Sequence, residues 1–186
     1  MSVCRPGTVR SAPFGASLPT MNSAIRILGI DPGLRHTGWG VISVEGSRLR
    51  LVAEGRISAR TDLPLSDRLM TIHAALEVII AEHKPDEAAA EETFMATNAA
   101  SALKLGHARA AALLAPARAG LPVAEYAARL VKKSVVGTGG ADKAQVAAMV
   151  GILLPGCQAK DDAADALAVA ICHAHHRTTR NLGSAA

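Results

Sequence analysis

The sequence predicts an α/β domain in which a mixed five-stranded sheet is flanked by helices. Strand-like segments separated by turn residues open the predicted fold, and strands alternate with helical patterns after them. The chain has 186 residues, of which 49% are hydrophobic, so it is long enough to bury the core of one ordinary domain. No internal repeat is visible.

Three strands are predicted at the start of the fold, over residues 25–31, 37–44 and 48–58. The first is a largely apolar run that ends at Asp31, and the Pro-Gly pair after it marks a turn. The second alternates between side chains suited to the two faces of a sheet. A helix over 65–83 follows, because apolar residues recur there at helical spacing.

Strands and helices alternate in the second half of the chain. Strands are predicted over 87–91 and 121–126, and helices over 97–115, 127–134, 142–153 and 162–176. The last helix is nearly all apolar from Ala163 to Ile171, which is typical of a buried helix.

The predicted fold occupies residues 25–176. Residues 1–24 contain proline and glycine but no strand pattern, and they lack the apolar core of a secretory signal. We expect this extension to be disordered, with Met21 as a candidate start of translation. Its acid-free composition, which includes Arg and Ser, leaves a mitochondrial presequence open. We expect residues 177–186 to form a flexible tail.

Four acidic residues stand at the ends of predicted elements, although only 19% of the chain is charged. Asp31 and Glu91 each end a strand, so their carboxylates meet at one sheet edge if the two strands are neighbours. Asp162 and Asp165 are three residues apart near the start of the last helix and therefore project from one face. If all four converge, they supply the hard oxygen ligands that Mg²⁺ prefers.

The same residues also have structural explanations. Asp31 is suited to a simple turn, since aspartate often caps turns locally. The helical pair is equally explained as a cap with solvated acids, and Asp161, directly before the helix, is the better cap candidate. Gly38 and Gly40 permit a close backbone approach, which also suits the handling of a phosphate or a metal.

Four segments taken together carry a more specific signal than any one acid. They are Gly29-Ile30-Asp31-Pro32-Gly33 with Thr37-Gly38-Trp39-Gly40-Val41, Glu91 to Asn98 with Ser101 to Gly106, Glu125 to Val146, and Asp162 to Ala168. In this order and at this spacing they resemble the RuvC family of bacterial Holliday-junction resolvases. The resemblance covers roughly residues 25–176.

The resemblance implies a ribonuclease H-like fold and Mg²⁺-dependent cleavage of four-way DNA junctions by a homodimer, in recombination and DNA repair. It assigns catalysis and metal binding to Asp31, Glu91, Asp162 and Asp165, although some relatives carry His at the position of Asp162. It also implies two Mg²⁺ ions per subunit with Mn²⁺ as a substitute, a short T-containing cleavage consensus, and partnership with the RuvA and RuvB branch-migration proteins.

A basic segment predicts where DNA binds. Residues 97–146 carry seven basic and two acidic side chains, whereas the net charge of the whole chain is +4. A scattered, solvated face is the alternative, but the loop at 137–140 also offers backbone amides to a phosphate. The resemblance favours Lys132 and Lys143 as contacts to DNA or to the scissile phosphate, and we add Lys104 and Arg109.

Phe94 is one of only two phenylalanines in the chain. Packing in the core is its ordinary explanation. It lies in a polar context three residues after Glu91, however, and the resemblance implies that this position stacks on bases near the junction centre. We therefore expect Phe94 to contact DNA.

Two other functions are compatible with parts of the pattern. An actin-like or sugar-kinase-type ATPase also begins with a strand, an Asp and a glycine turn, but it needs two such domains. A catalytically decayed junction-binding module is disfavoured because all four acids are present. The helix over 97–115 is rich in small residues and is a candidate dimer face.

The cysteine and hydropathy patterns bear on the compartment. The three cysteines form no CxxC motif and no even framework, which indicates the reducing cytoplasm. No apolar run is long enough to span a membrane. The His173-Ala174-His175-His176 run reads as the basic end of a helix, with metal binding as the alternative.

Overall fold

The computed structural model describes residues 24–92 and 98–183, with the backbone alone over 178–183. The strands are β1 (Ile25–Asp31), β2 (His36–Glu45), β3 (Arg48–Ser58), β4 (Glu87–Glu92) and β5 (Val123–Ala127). The helices are α1 (Leu65–His83), α2 (Ala99–Arg118), α3 (Ala128–Val136), α4 (Lys143–Leu153) and α5 (Asp161–Gly183).

The strands form one mixed sheet in the order β3-β2-β1-β4-β5. The first three strands are antiparallel neighbours, whereas β4 lies parallel to β1 and β5 lies parallel to β4. The predicted five-stranded mixed sheet is confirmed. The condition on which the meeting of Asp31 and Glu91 depended is also met, because β1 and β4 are neighbours.

Helices cover both faces of the sheet and divide its core into two layers. On one face, α1 and α2 pack over alternate residues of β1 and β4, including Leu28, Ile30 and Ala88. On the other face, α3, α4 and α5 pack over the intervening residues, including Ile27 and Ala89. This alternation follows from the two-residue period of a strand.

Three glycines allow α5 to lie directly on the central strands. A Cβ at Gly29 would overlap the carbonyl oxygen of Ala166, and a Cβ at Gly40 would overlap the side chain of Leu167. A Cβ at Gly38 would overlap the carbonyl oxygen of Asp162. The close approach that the sequence indicated at Gly38 and Gly40 is therefore made by α5, in the part of the chain that the structure describes.

Several element ends differ from the sequence-based expectation, and three of them have a clear cause or consequence. The second helix continues past Pro116 to Arg118, because a proline in the last turn removes only one helical hydrogen bond. The fifth strand begins at Val123 rather than 121, since the Leu121 amide donates to the Pro116 carbonyl in the preceding turn. The last helix continues to Gly183, beyond the point where the tail was expected to begin.

The glycine contact can be tested by a pair of Gly→Ala substitutions. Gly29→Ala should lower the free energy of unfolding by about 1–3 kcal/mol, because the new methyl group meets the α5 backbone. Gly106→Ala on α2 is the matched control, since nothing lies within 4 Å of its Cβ position. It should raise the free energy of unfolding by about 0.5–1 kcal/mol. Urea denaturation measures both, and equal effects would contradict the close packing of α5.

Candidate active site

Asp31 and Glu91 lie next to each other at the ends of parallel strands. The register pairs Ile30 with Ala90, so the following residues on the two strands, Asp31 and Glu91, are adjacent. Both follow the alternation that places Ala89 under α5, and both side chains are therefore on the α5 face of the sheet. This is the convergence at a sheet edge that the sequence predicted.

The turn after Asp31 is held by a buried threonine. The Thr37 hydroxyl donates a hydrogen bond of 2.8 Å to the carbonyl of Gly33 and accepts a longer one of 3.4 Å from the Gly33 amide. Thr37 is fully buried, and its neighbour Gly38 pairs with Asp31 across the two strands. The threonine therefore fixes the backbone that presents Asp31.

The two acids of α5 are brought over this strand pair by the glycine contact. Asp162 sits above Gly38, and Asp165 lines the same cleft as Asp31 and Glu91. Each helical acid has a cation beside it. Lys143 Nζ donates to Asp165 Oδ2 at 2.7 Å, and Arg56 Nη1 lies 3.9 Å from Asp162 Oδ2.

The cleft combines three acids with two lysines. It has a volume of about 240 Å³ and opens between the sheet edge and helices α3, α4 and α5. The charged residues that line it are Asp31, Glu91, Asp165, Lys132 and Lys143. Asp162 lies outside this lining, on the side towards β3. All four predicted acids are half-buried.

Burial and like charge raise the pKa values of the strand acids. The pKa of Asp31 rises from 3.8 to about 7, first because the carboxyl is buried and then because Glu91, Asp165 and Asp162 repel its charge. Burial and Asp165 likewise raise the pKa of Glu91, while Lys143 and Lys132 oppose that shift. Such a perturbed cluster in a cleft is typical of a catalytic or cation-binding site.

Comparison with known proteins identifies the family. The family model described as crossover junction endodeoxyribonuclease RuvC matches residues 27–173. A curated relative of that name from Maricaulis maris is 72% identical over 166 residues, which cover 89% of this chain and 100% of the relative. The chain belongs to the RuvC family. The actin-like ATPase and the decayed binding module are therefore set aside in favour of a crossover junction endonuclease.

Solved structures agree with this assignment. A RuvC structure from Thermus thermophilus is 34% identical to this chain, with a TM-score of 0.76, and the match covers 84% of this chain and 97% of the other. A second, of T. thermophilus RuvC in complex with a Holliday junction substrate, is also 34% identical, with a TM-score of 0.78 and coverages of 84% and 96%. The ribonuclease H-like fold expected from the sequence is confirmed.

The donor set of the cleft fits a hard divalent cation. RuvC-family nucleases are generally metal-dependent. Asp31, Glu91 and Asp165 offer only carboxylate oxygens, and their mutual repulsion is relieved by a cation. Within residues 24–92 and 98–183, no three His, Cys, Asp or Glu side chains are arranged around a common metal position. The Lys143 ammonium instead supplies the positive charge at Asp165.

The predicted DNA contacts fall in different places. Lys132 and Lys143 line the cleft, whereas Lys104 is exposed on α2, on the opposite face of the sheet. Arg109 forms an ion pair with Glu125 of β5, so contact with DNA would require that pair to open. Phe94 lies outside the described residues.

The expectation that the His173-Ala174-His175-His176 run ends a helix is wrong, because the run lies inside α5, which continues to Gly183. His173 is buried, with Nε2 2.7 Å from Glu87 Oε2 and Nδ1 2.8 Å from the Tyr126 hydroxyl. Arg177 donates to the same Glu87 carboxylate at 2.8 Å. This network fastens α5 to β4 and β5, and no sequence motif indicated it because its partners are 47 to 90 residues apart.

Asp161 differs from the expected helix cap. Its φ is +49°, in the left-handed region, whereas N-cap residues are extended. The structure gives its side chain no hydrogen bond to another described residue. Aspartate tolerates this conformation better than most residues do, which accounts for an acid at this position.

No helix in the described part of the chain is long and apolar enough to cross a membrane.

The raised pKa of Asp31 makes stability depend on pH. A pKa that is higher in the folded protein contributes stability that is present below about pH 4 and is lost as the pH rises through about 7. In EDTA, Asp31→Asn should therefore be more stable than the wild type at pH 8, by at most about 4 kcal/mol. The difference should disappear near pH 4. Thermal melting measures it, and Glu82→Gln, at an exposed acid of α1, is the control.

Proposed function

We propose that this chain resolves four-way (Holliday) DNA junctions by Mg²⁺-dependent hydrolysis of phosphodiester bonds, as a homodimer that cuts symmetrically in recombination and DNA repair. The observation that carries the proposal is the cleft in which Asp31, Glu91 and Asp165 face two lysines on the RuvC fold. The T. thermophilus relative that was solved with a Holliday junction supports the substrate.

Asp31, Glu91, Asp162 and Asp165 are the residues that we assign to metal binding. We propose two Mg²⁺ ions per subunit, with Mn²⁺ as a substitute. When bound, such ions supply Lewis-acid activation of the attacking water and stabilisation of the leaving oxygen. The chain contributes carboxylates whose spacing is set by β1, β4 and α5. Because the pKa of Asp31 is about 7 without metal, loading the site displaces a proton from that carboxyl.

The two lysines prepare the cleft for an anionic substrate. The hydrogen bond from Lys143 to Asp165 raises the pKa of the lysine, so its ammonium stays charged beside the cleft. Its side chain is 78% exposed, which leaves the same ammonium accessible to a DNA phosphate. Lys132 faces the cleft from α3, and its charge opposes in part the rise that burial and Asp165 cause in the pKa of Glu91.

Further contacts and partners belong to the proposal. Lys104 and Arg109 bind the DNA backbone outside the cleft, and Phe94 stacks on bases near the junction centre.

The amino-terminal part of α2, where Ala99, Ala100 and Ala102 are exposed, is the candidate dimer face. RuvA and RuvB are the proposed branch-migration partners. Two free cysteines among the described residues agree with a reducing cytoplasm as the compartment.

Cleavage of a synthetic mobile junction tests the proposed function. With Mg²⁺ the protein should introduce two cuts at symmetric positions on strands of like polarity, because a two-fold dimer presents equivalent sites to a two-fold substrate. Sequencing gels of end-labelled strands locate the cuts. Linear duplex of the same sequence is the control, and nicking of that duplex at the same rate would rule out junction resolution.

A comparison of Asp165 with Asp161, both on α5, tells a catalytic role from the general effect of removing one negative charge. Asp165→Asn should remove nearly all cleavage while junction binding persists, because the substitution removes a proposed metal ligand but no phosphate contact. Asp161→Asn makes the same charge change four residues earlier and should retain both activities. Cleavage is measured in Mg²⁺ and binding in Ca²⁺. If Asp161→Asn were inactive and Asp165→Asn active, the assignment of the acids on this helix would be wrong.

A further inference from the structure

Arg56 lies on the active-site face of β3. It pairs with Gly38 in the sheet, and Gly38 is the residue on which the first turn of α5 rests. The guanidinium reaches towards Asp162, with 3.9 Å between Nη1 and Oδ2. Neither the basic segment at 97–146 nor any of the quoted motifs includes Arg56.

The contact with Asp162 uses few of the N–H donors of the Arg56 guanidinium. No hydrogen bond accompanies the 3.9 Å ion pair, and the Arg56 side chain is 49% exposed. An arginine has five N–H donors in a planar fork. A half-exposed pair at this distance contributes little to stability. The contact with Asp162 therefore does not by itself account for an arginine at this position.

The location of Arg56 complements that of the two lysines. Lys132 and Lys143 flank the acids from α3 and α4, whereas Arg56 flanks them from β3. From β3 to β4 is three strand spacings, or about 14 Å. A row of carboxylates repels a DNA strand, so a strand laid across the row needs cations at both ends. The planar fork of arginine matches the geometry of a phosphate.

We propose that Arg56 binds a backbone phosphate of the junction on the β3 side of the carboxylate cluster. The strand to be cut is then held between Arg56 on one side and Lys132 and Lys143 on the other. This inference rests on the proposed function, because it takes junction DNA as the substrate. Asp162 keeps the guanidinium directed towards the cleft until the phosphate arrives.

The test compares two arginines of the same strand. Arg56→Gln removes the proposed contact, and Arg56→Lys keeps the charge but not the fork. Arg50→Gln is the matched control, since Arg50 is exposed on β3 and pairs with Ser43, far from the acids along the strand. Binding of the full chain to a synthetic four-way junction is measured in Ca²⁺ over 50 to 200 mM salt, and melting temperature reports folding.

Arg56→Gln should weaken junction binding about tenfold at the lowest salt, as for the loss of a charged hydrogen bond. Its plot of log affinity against log salt should be shallower by about one, so that the difference from the wild type shrinks about fourfold by 200 mM. Arg56→Lys should recover part of the loss. Arg50→Gln should match the wild type, and all three variants should melt normally.

Other results overturn the inference. If Arg56→Gln binds with wild-type affinity and salt slope, Arg56 makes no phosphate contact. A changed Mg²⁺ requirement for cleavage with unchanged binding would show that Arg56 only positions Asp162. Loss of affinity with an unchanged salt slope would point to a distorted site. If the wild type itself does not bind junctions, both the proposed function and this inference fail. In each of the other outcomes the wild type still binds junctions, so only the inference fails.

Discussion

The packing of α5 against glycines of β1 and β2 is the contact on which the rest of the structure depends. Gly29 pairs with Gly40 across the two strands, and Gly38 pairs with Asp31. The strip of the sheet that carries no side chains therefore extends as far as Asp31. Small residues such as Ala166 and Ala170 make the facing surface of α5. A larger side chain at any of these glycines would lift the helix and carry Asp162 and Asp165 away from the sheet edge.

Two further features fix the position of α5 on the sheet. Near the start of α5, Lys143 donates a hydrogen bond to Asp165 and offsets part of the repulsion among the acids. In the middle of α5, the hydrogen bonds of the buried His173 with Glu87 and Tyr126 fasten the helix to β4 and β5. Since burying a polar group without a partner is costly, this network favours one position of the helix. The cleft thus has fixed walls and combines three carboxylates with two lysines that neutralise them only in part, which suits a cation and a phosphate.

Many of the element bounds and the positions of the acids could be predicted because they depend on the local sequence pattern. Apolar residues at helical spacing gave the bounds of α1, and strand ends located Asp31 and Glu91. The spacing of Asp162 and Asp165 placed them on one helix face. Features that depend on residues distant in the chain were not accessible in this way. Arg56 could not be assigned to the site without the register of β3 against β2, and His173 could not be matched to Glu87, 86 residues away. The φ of Asp161 is likewise a result of how the chain enters α5, which local propensity does not specify.

Coupling between metal binding and the protonation of Asp31 tests the central claim most directly. The claim is that α5 forces the carboxylates close enough together to need a cation. Calorimetric titration of Mn²⁺ into the DNA-free protein at pH 7, in two buffers with different ionisation enthalpies, measures the protons released. With a pKa of about 7 for Asp31, binding should release roughly half a proton per chain, and Asp31→Asn should abolish that release. Mn²⁺ binding by the wild type without proton release, or no binding at all, would contradict the account.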